Sequence, residues 1–355
     1  MSVSKICLNR VSPFSDLLVK SFLFLGQQGI DYVEERRNTF AIYGKNLEVA
    51  LKEAFLLAAD LMGDYKRLPL TGNDRREKDF KEMLKAIGAT SIQSDDGVLE
   101  FAGINISNLI NNNEKGIRGP LIALIKSEYY EESRTPMFSS DYEKVLNPSQ
   151  LYVLMALGGY VTFRLGRSKY VRKNPSVVVT IEDPFTKDKE IINALFDFKT
   201  EDKSKRKYLP RAITSKWAFS LWLALNFNIS HVVKVNLVDE GNRINVKESF
   251  ITDLKRLRSG INRTLGALDE KKARPINSLL LNVLNQNAMS EEIQFTKLLY
   301  ETINGINLKY DTIILGSRGY SLLLSDLINS AQKKASNEFK RYENMWKITK
   351  LMLKI

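Results

Sequence analysis

Histidine and cysteine are nearly absent. The 355 residues contain one histidine, His231, and one cysteine, Cys7. With a single copy of each, no Cys/His zinc site can be assembled, and a Cys–His nucleophilic pair would have to use both. Cys7 lies in the short apolar segment KICL and reads as a small buried filler. His231 stands before VVKV, at an expected strand start, and reads as structural or exposed. Long apolar runs are missing too: none reaches the roughly 18 residues that a membrane-spanning helix requires. The stretch Ala218 to Phe227 is shorter and interrupted by Ser220. The N-terminal MSVSKICLNR lacks the long apolar core of a secretory signal, which points to an intracellular, cytoplasmic protein without a membrane partner. No motif implies a cofactor.

Apolar residues make up 44% of the chain and charged residues 26%, the composition of a soluble globular protein. The length suits about two to three domains with a large core. The excess is in positive charge: 53 Lys/Arg stand against 41 Asp/Glu, a net +12. A solvated lysine-rich surface would spread that charge evenly. Instead, residues 160–220 hold 14 Lys/Arg and 7 Asp/Glu, a surplus of seven, and residues 331–355 hold seven bases against two acids. Uneven placement favours a surface for an anionic partner.

The chain opens with a strand at KICL, then a helix in SPFSDLLVKSFLFLGQQG. Ser12 caps it, Pro13 suits its first position and Asp16 its positive end. Its apolar residues run nearly all round, which predicts burial. Gly26 or Gly29 stops it. IDYVEER and TFAIYG read as two short strands turning at Arg37-Asn38. A helix follows from Asn46 to Met62, with Leu47, Ala50, Leu51, Ala54, Phe55, Ala58 and Leu61 on one face. This β-α-β-β-α order predicts a small antiparallel sheet covered by helices.

Farther on, NDRREKDFKEMLKAIG reads as a surface helix, TSIQSDDGVLEFAG as a hairpin around Asp96-Gly97, and NLINNNEKGIRGP as a polar loop and boundary. LYVLMALGGYVTFRL, SVVVTIED and IINALFDFK read as strands, with Gly158-Gly159 marking a bulge or the close approach of another backbone. SKWAFSLWLALNF is helical by spacing, and HVVKVNLV is a further strand. Helices are expected at 249–268, 275–288, 290–304 and from about 319 almost to the end. Ser290 would cap the third, and Gly316 to Gly319 (GSRG) would form an interhelical turn. The fold class is α+β: an N-terminal α/β region (1–115), a central basic α/β region (116–246), both with antiparallel sheets, and a helical C-terminal bundle (247–355).

Two basic clusters fall in the central region. In DKSKRKYLPR, Lys203, Lys205, Arg206, Lys207 and Arg211 precede the apolar helix SKWAFSLWLALNF. Loop cations beside the free N–H groups of a helix start suit phosphate, with Thr214 and Ser215 as further donors. In FRLGRSKYVRKNP, Arg164, Arg167, Lys169, Arg172 and Lys173 alternate with Phe163 and Tyr170, a pattern that suits a groove stacking bases and following phosphates. The alternative is an ordinary surface loop for the first cluster and a hairpin tip for the second. Asp183-Pro184 and Asp197-Phe198-Lys199 raise metal-dependent nuclease chemistry, but the first acid precedes its proline and no additional acid is fixed.

SPFSDLLVKSFLFLGQQGIDYVEERRNTFAIYG resembles the start of the large subunit of archaeal subtype I-A CRISPR effector complexes, the Csa family of Cascade proteins. LYVLMALGGYVTFRL, LPRAITSKWAFSLWLALNF and the helical last third fit the same layout. The resemblance implies a non-catalytic, DNA- and RNA-binding subunit of antiviral defence. Its partners would be the other subunits of the CRISPR RNA-guided complex, target DNA and a helicase–nuclease. It would help to recognise the protospacer-adjacent motif and stabilise the R-loop. A metal-dependent nuclease and an architectural protein docking partners through its helical third remain the alternatives.

If the cluster before SKWAFSLWLALNF contacts phosphate, replacing Lys205, Arg206 and Lys207 together by Ala weakens DNA binding strongly. It lowers the salt slope by about one unit for each phosphate no longer neutralised. The melting temperature barely moves, because exposed loop charges contribute little to stability. DNA titrations at several salt concentrations and a thermal melt measure both; unchanged affinity would make the loop solvated surface.

Overall fold

A computed structural model describes residues 4–26, 28–36, 39–62, 105–113, 124, 148–167, 176–181, 192–193, 195, 215–227, 231–240, 244–306, 309, 311–318, 321 and 335–353. The chain divides into two compact units. Unit 1 takes Met1–Arg167, Lys173–Thr200 and Val233–Ile251; unit 2 takes Ser168–Arg172, Glu201–Val232 and Thr252–Ile355.

Unit 1 opens as the residue pattern dictates, with β1 (Lys5–Asn9), α1 (Pro13–Leu25), β2 (Tyr32–Glu35), β3 (Thr39–Tyr43) and α2 (Leu47–Met62). The strands form an antiparallel sheet in the order β1-β3-β2, with Leu8 opposite Phe40 and Tyr32 opposite Tyr43. Strand alternation turns Ile6 and Leu8 into the core and Lys5, Cys7 and Asn9 outward. Cys7 is therefore exposed, not a buried filler: the apolar neighbours that suggested burial occupy the other face. Tyr32 and Tyr43 stack across the outer face at 4.5 Å, a stabilising cross-strand pair. The Ser12 hydroxyl accepts from the Ser15 N–H at 3.3 Å, capping α1, and Gly26 ends it. All seven apolar positions expected on one face of α2 are buried. The turn at Arg37-Asn38 lies outside the described residues, as do the helix expected near residues 73–88 and the hairpin at Asp96-Gly97.

α3 (Ile106–Asn111) is capped by Asn105, whose side chain accepts from the Asn108 N–H at 3.0 Å. It replaces the first part of the expected polar loop; its asparagines act as caps rather than turn formers. The larger correction is α4 (Gln150–Phe163), read from sequence as strand. Every residue from Leu151 to Phe163 is buried, so no polar stripe marks the helical period. A helix enclosed on all sides is indistinguishable by pattern from a buried strand. Gly159 does mark a close backbone approach: a Cβ there would stand 2.8 Å from the Leu18 carbonyl carbon. The glycine lets α4 lie directly on α1.

A second sheet follows, in the order β4-β5-β6-β7. It comprises β4 (Arg164–Arg167), β5 (Ser176–Ile181), β6 (Val232–Glu240) and β7 (Ile244–Asp253). β5 is buried throughout, runs antiparallel to β6 and aligns Ser176 with Val238 and Ile181 with Val233. Its last N–H donates to the Ser21 hydroxyl of α1 at 3.2 Å. Ile192, Asn193 and Leu195 are helical, so the described part of IINALFDFK is not strand.

Unit 2 is built on helices: α5 (Lys216–Asn226), α6 (Leu254–Leu265), α7 (Glu270–Leu284), α8 (Ser290–Ile303), the stretch 311–318 and α9 (Ala335–Leu353). α5 fits its spacing and buries Ala218, Phe219, Leu221 and Trp222. The helix expected over 249–268 begins only at Leu254, because β6 recruits the preceding residues as β7. α7 starts at Glu270 under an Asp269 cap and carries Pro275 internally. α8 is capped not by Ser290 but at Met289, whose N–H donates to the Glu292 carboxylate at 2.9 Å. GSRG is not a turn in its described part: residues 316–318 are helical. A Cβ on Gly316 would meet the Phe295 ring at 2.8 Å; the glycine admits a helix crossing. Met345, Ile348 and Met352 of α9 are buried, consistent with a seam at spacings of three and four. The architecture is α+β, with antiparallel sheets and a helical C-terminal region. No helix among the described residues is long and apolar enough to cross a membrane.

Gly159→Ala forces a methyl against backbone that cannot retreat as a side chain could, and is expected to destabilise by about 1–3 kcal/mol. Trp222 is 1% exposed and stacks on Phe219; Trp222→Ala is expected to cost roughly 3–5 kcal/mol. Chemical denaturation of each variant against the unaltered protein measures both losses, and a Gly159→Ala protein of undiminished stability would contradict the close helix crossing.

Candidate nucleic-acid interface

The residues expected to meet phosphate have very different fates. Arg164 closes α4, its N–H bonding to the Tyr160 carbonyl, and starts β4. The side chain turns inward, 6% exposed. Its Nε donates to the Ser176 hydroxyl at 3.1 Å, and the guanidinium lies 5.9 Å from the Tyr160 ring centroid. A buried guanidinium engaged by hydroxyl and ring is a structural cation; it ties α4 to β5 and does not present itself to a polyanion. Arg167 contributes backbone to β4, pairing with Ser176 after an irregularity between Arg164 and Gly166; its side chain lies outside the described residues. Lys169, Arg172, Lys173, Lys203, Lys205, Arg206, Lys207 and Arg211 lie outside them as well, as do Asp183, Asp197 and Thr214.

Ser215 is used by the fold. Its hydroxyl accepts from the Ala218 N–H at 3.3 Å and starts α5. The apolar helix after the basic run therefore exists, firmly capped and buried, as the sequence implied. His231 is half-buried at the start of β6, and its carbonyl accepts from the Leu254 N–H at 3.1 Å, a structural placement.

Several described bases have acidic partners. In unit 1, Arg10 binds Asp16, Lys20 binds Glu35, Arg36 chelates Glu34 and Lys247 reaches Asp239. The Arg36 hydrogen bonds lower the Glu34 carboxyl from its ordinary range. In unit 2, Lys272 lies by Asp269, Lys297 by Glu301, Arg341 by Glu292 and Lys347 by Glu343. Arg263, Arg318, Lys340 and Lys350 are exposed bases of unit 2 that make no ion pair among the described residues, and so are Lys255 and Arg256 on α6 and Lys271 and Arg274 on α7. Sequence reasoning passed over those on α6 and α7. The signal was available: LKRLRSGINRTL, the whole of α6, contains four bases and no acid.

The family model described as CRISPR-associated protein, CsaX, matches residues 42–320. Neither a curated protein nor a solved structure matches the chain. The match runs from β3 through the second sheet and into the helices of unit 2, well over half of the 355 residues. The chain belongs to the CsaX family of CRISPR-associated proteins.

Proposed function

We propose that the protein is the nucleic-acid-binding large subunit of a type I-A RNA-guided surveillance complex, an archaeal Cascade, where it assists recognition of the protospacer-adjacent motif and stabilises the R-loop. One observation carries this reading: a CRISPR-associated family spans a chain of net charge +12 whose bases are concentrated locally. In RNA-guided recognition, base pairing reads most of the target. Protein supplies backbone contacts and reads shape and a short motif. Concentrated Lys and Arg supply affinity for phosphate without sequence readout. Its partners would be the other complex subunits, target DNA and the helicase–nuclease that acts on the opened duplex.

The same reading makes the protein a binder rather than a nuclease. Asp183 and Asp197 depart from the acid order that metal-dependent nucleases use, and the reading assigns them no chemistry. The purified chain is expected to bind DNA weakly, with little sequence preference, and to lose affinity steeply between about 50 and 200 mM salt. Asp183→Ala combined with Asp197→Ala should leave DNA binding and CRISPR interference intact. Salt-insensitive binding would contradict the electrostatic basis, and Mg²⁺-dependent cutting abolished by the two substitutions would make the protein an enzyme.

A further inference from the structure

We infer that exposed bases of α6 and α7 in unit 2, Lys255, Arg256, Lys271 and Arg274, hold the phosphate backbone of duplex DNA. The inference rests on the nucleic-acid reading above and places a contact that neither basic cluster of the central region includes.

α6 is divided lengthwise. Leu254, Leu257, Ile261, Thr264 and Leu265 are buried, and Gly260 fits against Ile303 of α8. Lys255, Arg256, Ser259, Asn262 and Arg263 are exposed. Those positions recur at the spacing of one helical face. Arg263 spends part of its donor capacity on the Ile303 carbonyl, 3.4 Å away. Residues 266–269 then lead into α7, where Lys271 and Arg274 are again exposed. Over residues 253–274 there are seven Lys/Arg and three Asp/Glu. Asp253 caps α6, accepting from the Arg256 N–H at 2.9 Å, and Asp269 and Glu270 stand at the start of α7, where Asp269 caps the helix and lies beside Lys272.

This placement works against stability. Lys255 and Arg256 sit in the first turn of α6, and Lys271 in that of α7. The helix macrodipole disfavours cations there, and neighbouring like charges repel. Elsewhere unit 2 satisfies several cations with partners such as Glu301, Glu343 and the buried Glu292. Asp253, Asp269 and Glu270 offset part of that cost at the two helix starts, and the surplus of four bases is complementary to an external polyanion.

The chemistry also separates duplex from single strand. Residues 254–284 contain no Phe, Tyr or Trp, so this face has nothing on which unstacked bases would lie. From Lys255 to Arg263 the helix advances about 12 Å, against roughly 3.4 Å per phosphate along one strand of a duplex. The basic face therefore spans several consecutive phosphates.

The test uses the full chain and fluorescence anisotropy on a labelled 30-base-pair duplex of random sequence and on the corresponding single strand, at several KCl concentrations. The variants are Lys255→Gln/Arg256→Gln, Lys271→Gln/Arg274→Gln, all four together, and a control with Lys297→Gln/Lys347→Gln, bases already paired on α8 and α9. The fourfold variant should lose at least about tenfold in duplex affinity near 100 mM salt, and its salt slope should fall by up to about 3.6, or 0.9 for each phosphate no longer held. Each pair should show part of this effect, and the control none. A thermal melt establishes folding; should the fourfold variant unfold, the two pairs carry the same comparison. Folded variants that bind duplex within twofold of the unaltered chain overturn the inference, including the case where this face serves an acidic protein instead. Loss confined to the single strand overturns the duplex assignment. An unaltered chain that binds no nucleic acid at any salt defeats the functional reading itself, whereas a binding chain with unaffected variants defeats only this placement.

Discussion

Unit 1 depends on one carboxylate buried at a helix start. Asp16 is 4% exposed, and both oxygens are engaged. Oδ2 accepts from Arg10 Nε at 2.8 Å; Oδ1 accepts from the Tyr152 hydroxyl at 2.6 Å and from the Val11 N–H at 3.3 Å. A charge removed from water is tolerated only when its hydrogen-bonding capacity is met. Here the donors come from the segment after β1 and from α4. Satisfying Asp16 therefore fixes the chain entering α1 and the docking of α4 on it. Burial, reinforced by the Asp16 carboxylate, pushes the Tyr152 phenol well above its ordinary range; it stays protonated and remains a donor. Ser15 and Ser12 continue the network at 2.7 and 2.8 Å. The Gly159 crossing depends on the same arrangement, since α4 must lie in register with Asp16 to bring that glycine over Leu18.

Unit 2 uses the same device with other residues. Glu292 is fully buried in the first turn of α8. It accepts from the Met289 N–H at 2.9 Å and from Asn282 of α7 at 3.0 Å, and Arg341 of α9 approaches to 3.5 Å. Three helices thus converge on one carboxylate. Apolar packing supplies most of the stabilisation in such a bundle, but it is non-directional. Hydrogen bonds to a buried anion have fixed donors and geometry, so they select one register among apolar packings of similar energy.

How much of this was legible follows from what each signal measures. Ser12, Pro13 and Asp16 are local, and they located α1 to the residue. The seven apolar positions of α2 were legible because their opposite face is polar. α4 was misread for the converse reason: with both faces apolar, its period vanished. The helix expected from 249 was begun five residues too early because the helical period of the basic run after Asp253 was extended backward, while pairing with β6 drew residues 249–253 into β7; strand formation answers to neighbours more than to propensity. The roles of Arg164 and Cys7 hinge on the direction in which one side chain leaves its strand. A misplaced residue of register reverses that direction, and in the case of Arg164 it exchanges a phosphate ligand for a core cation.

Charge shows the same division between count and placement. The surplus of Lys and Arg is plain in the sequence, but whether a base is available depends on partners far along the chain. Arg341 is neutralised by Glu292, forty-nine positions earlier, and Arg10 by an aspartate six positions later. Composition marks α6 as basic, but it does not show which individual bases are already paired. The density that drew attention to residues 160–220 is therefore an incomplete guide to where a polyanion would rest. The pairing of each base is the better one, because an ion pair already formed must be broken or shared before a phosphate can use its cation. On α6, Lys255 and Arg256 make no ion pair among the described residues, and the buried side is fixed by Leu257, Ile261 and Gly260, which keeps the opposite side toward solvent. The packing of unit 2 thereby determines that this charge stays available to solvent and to whatever anion approaches from it.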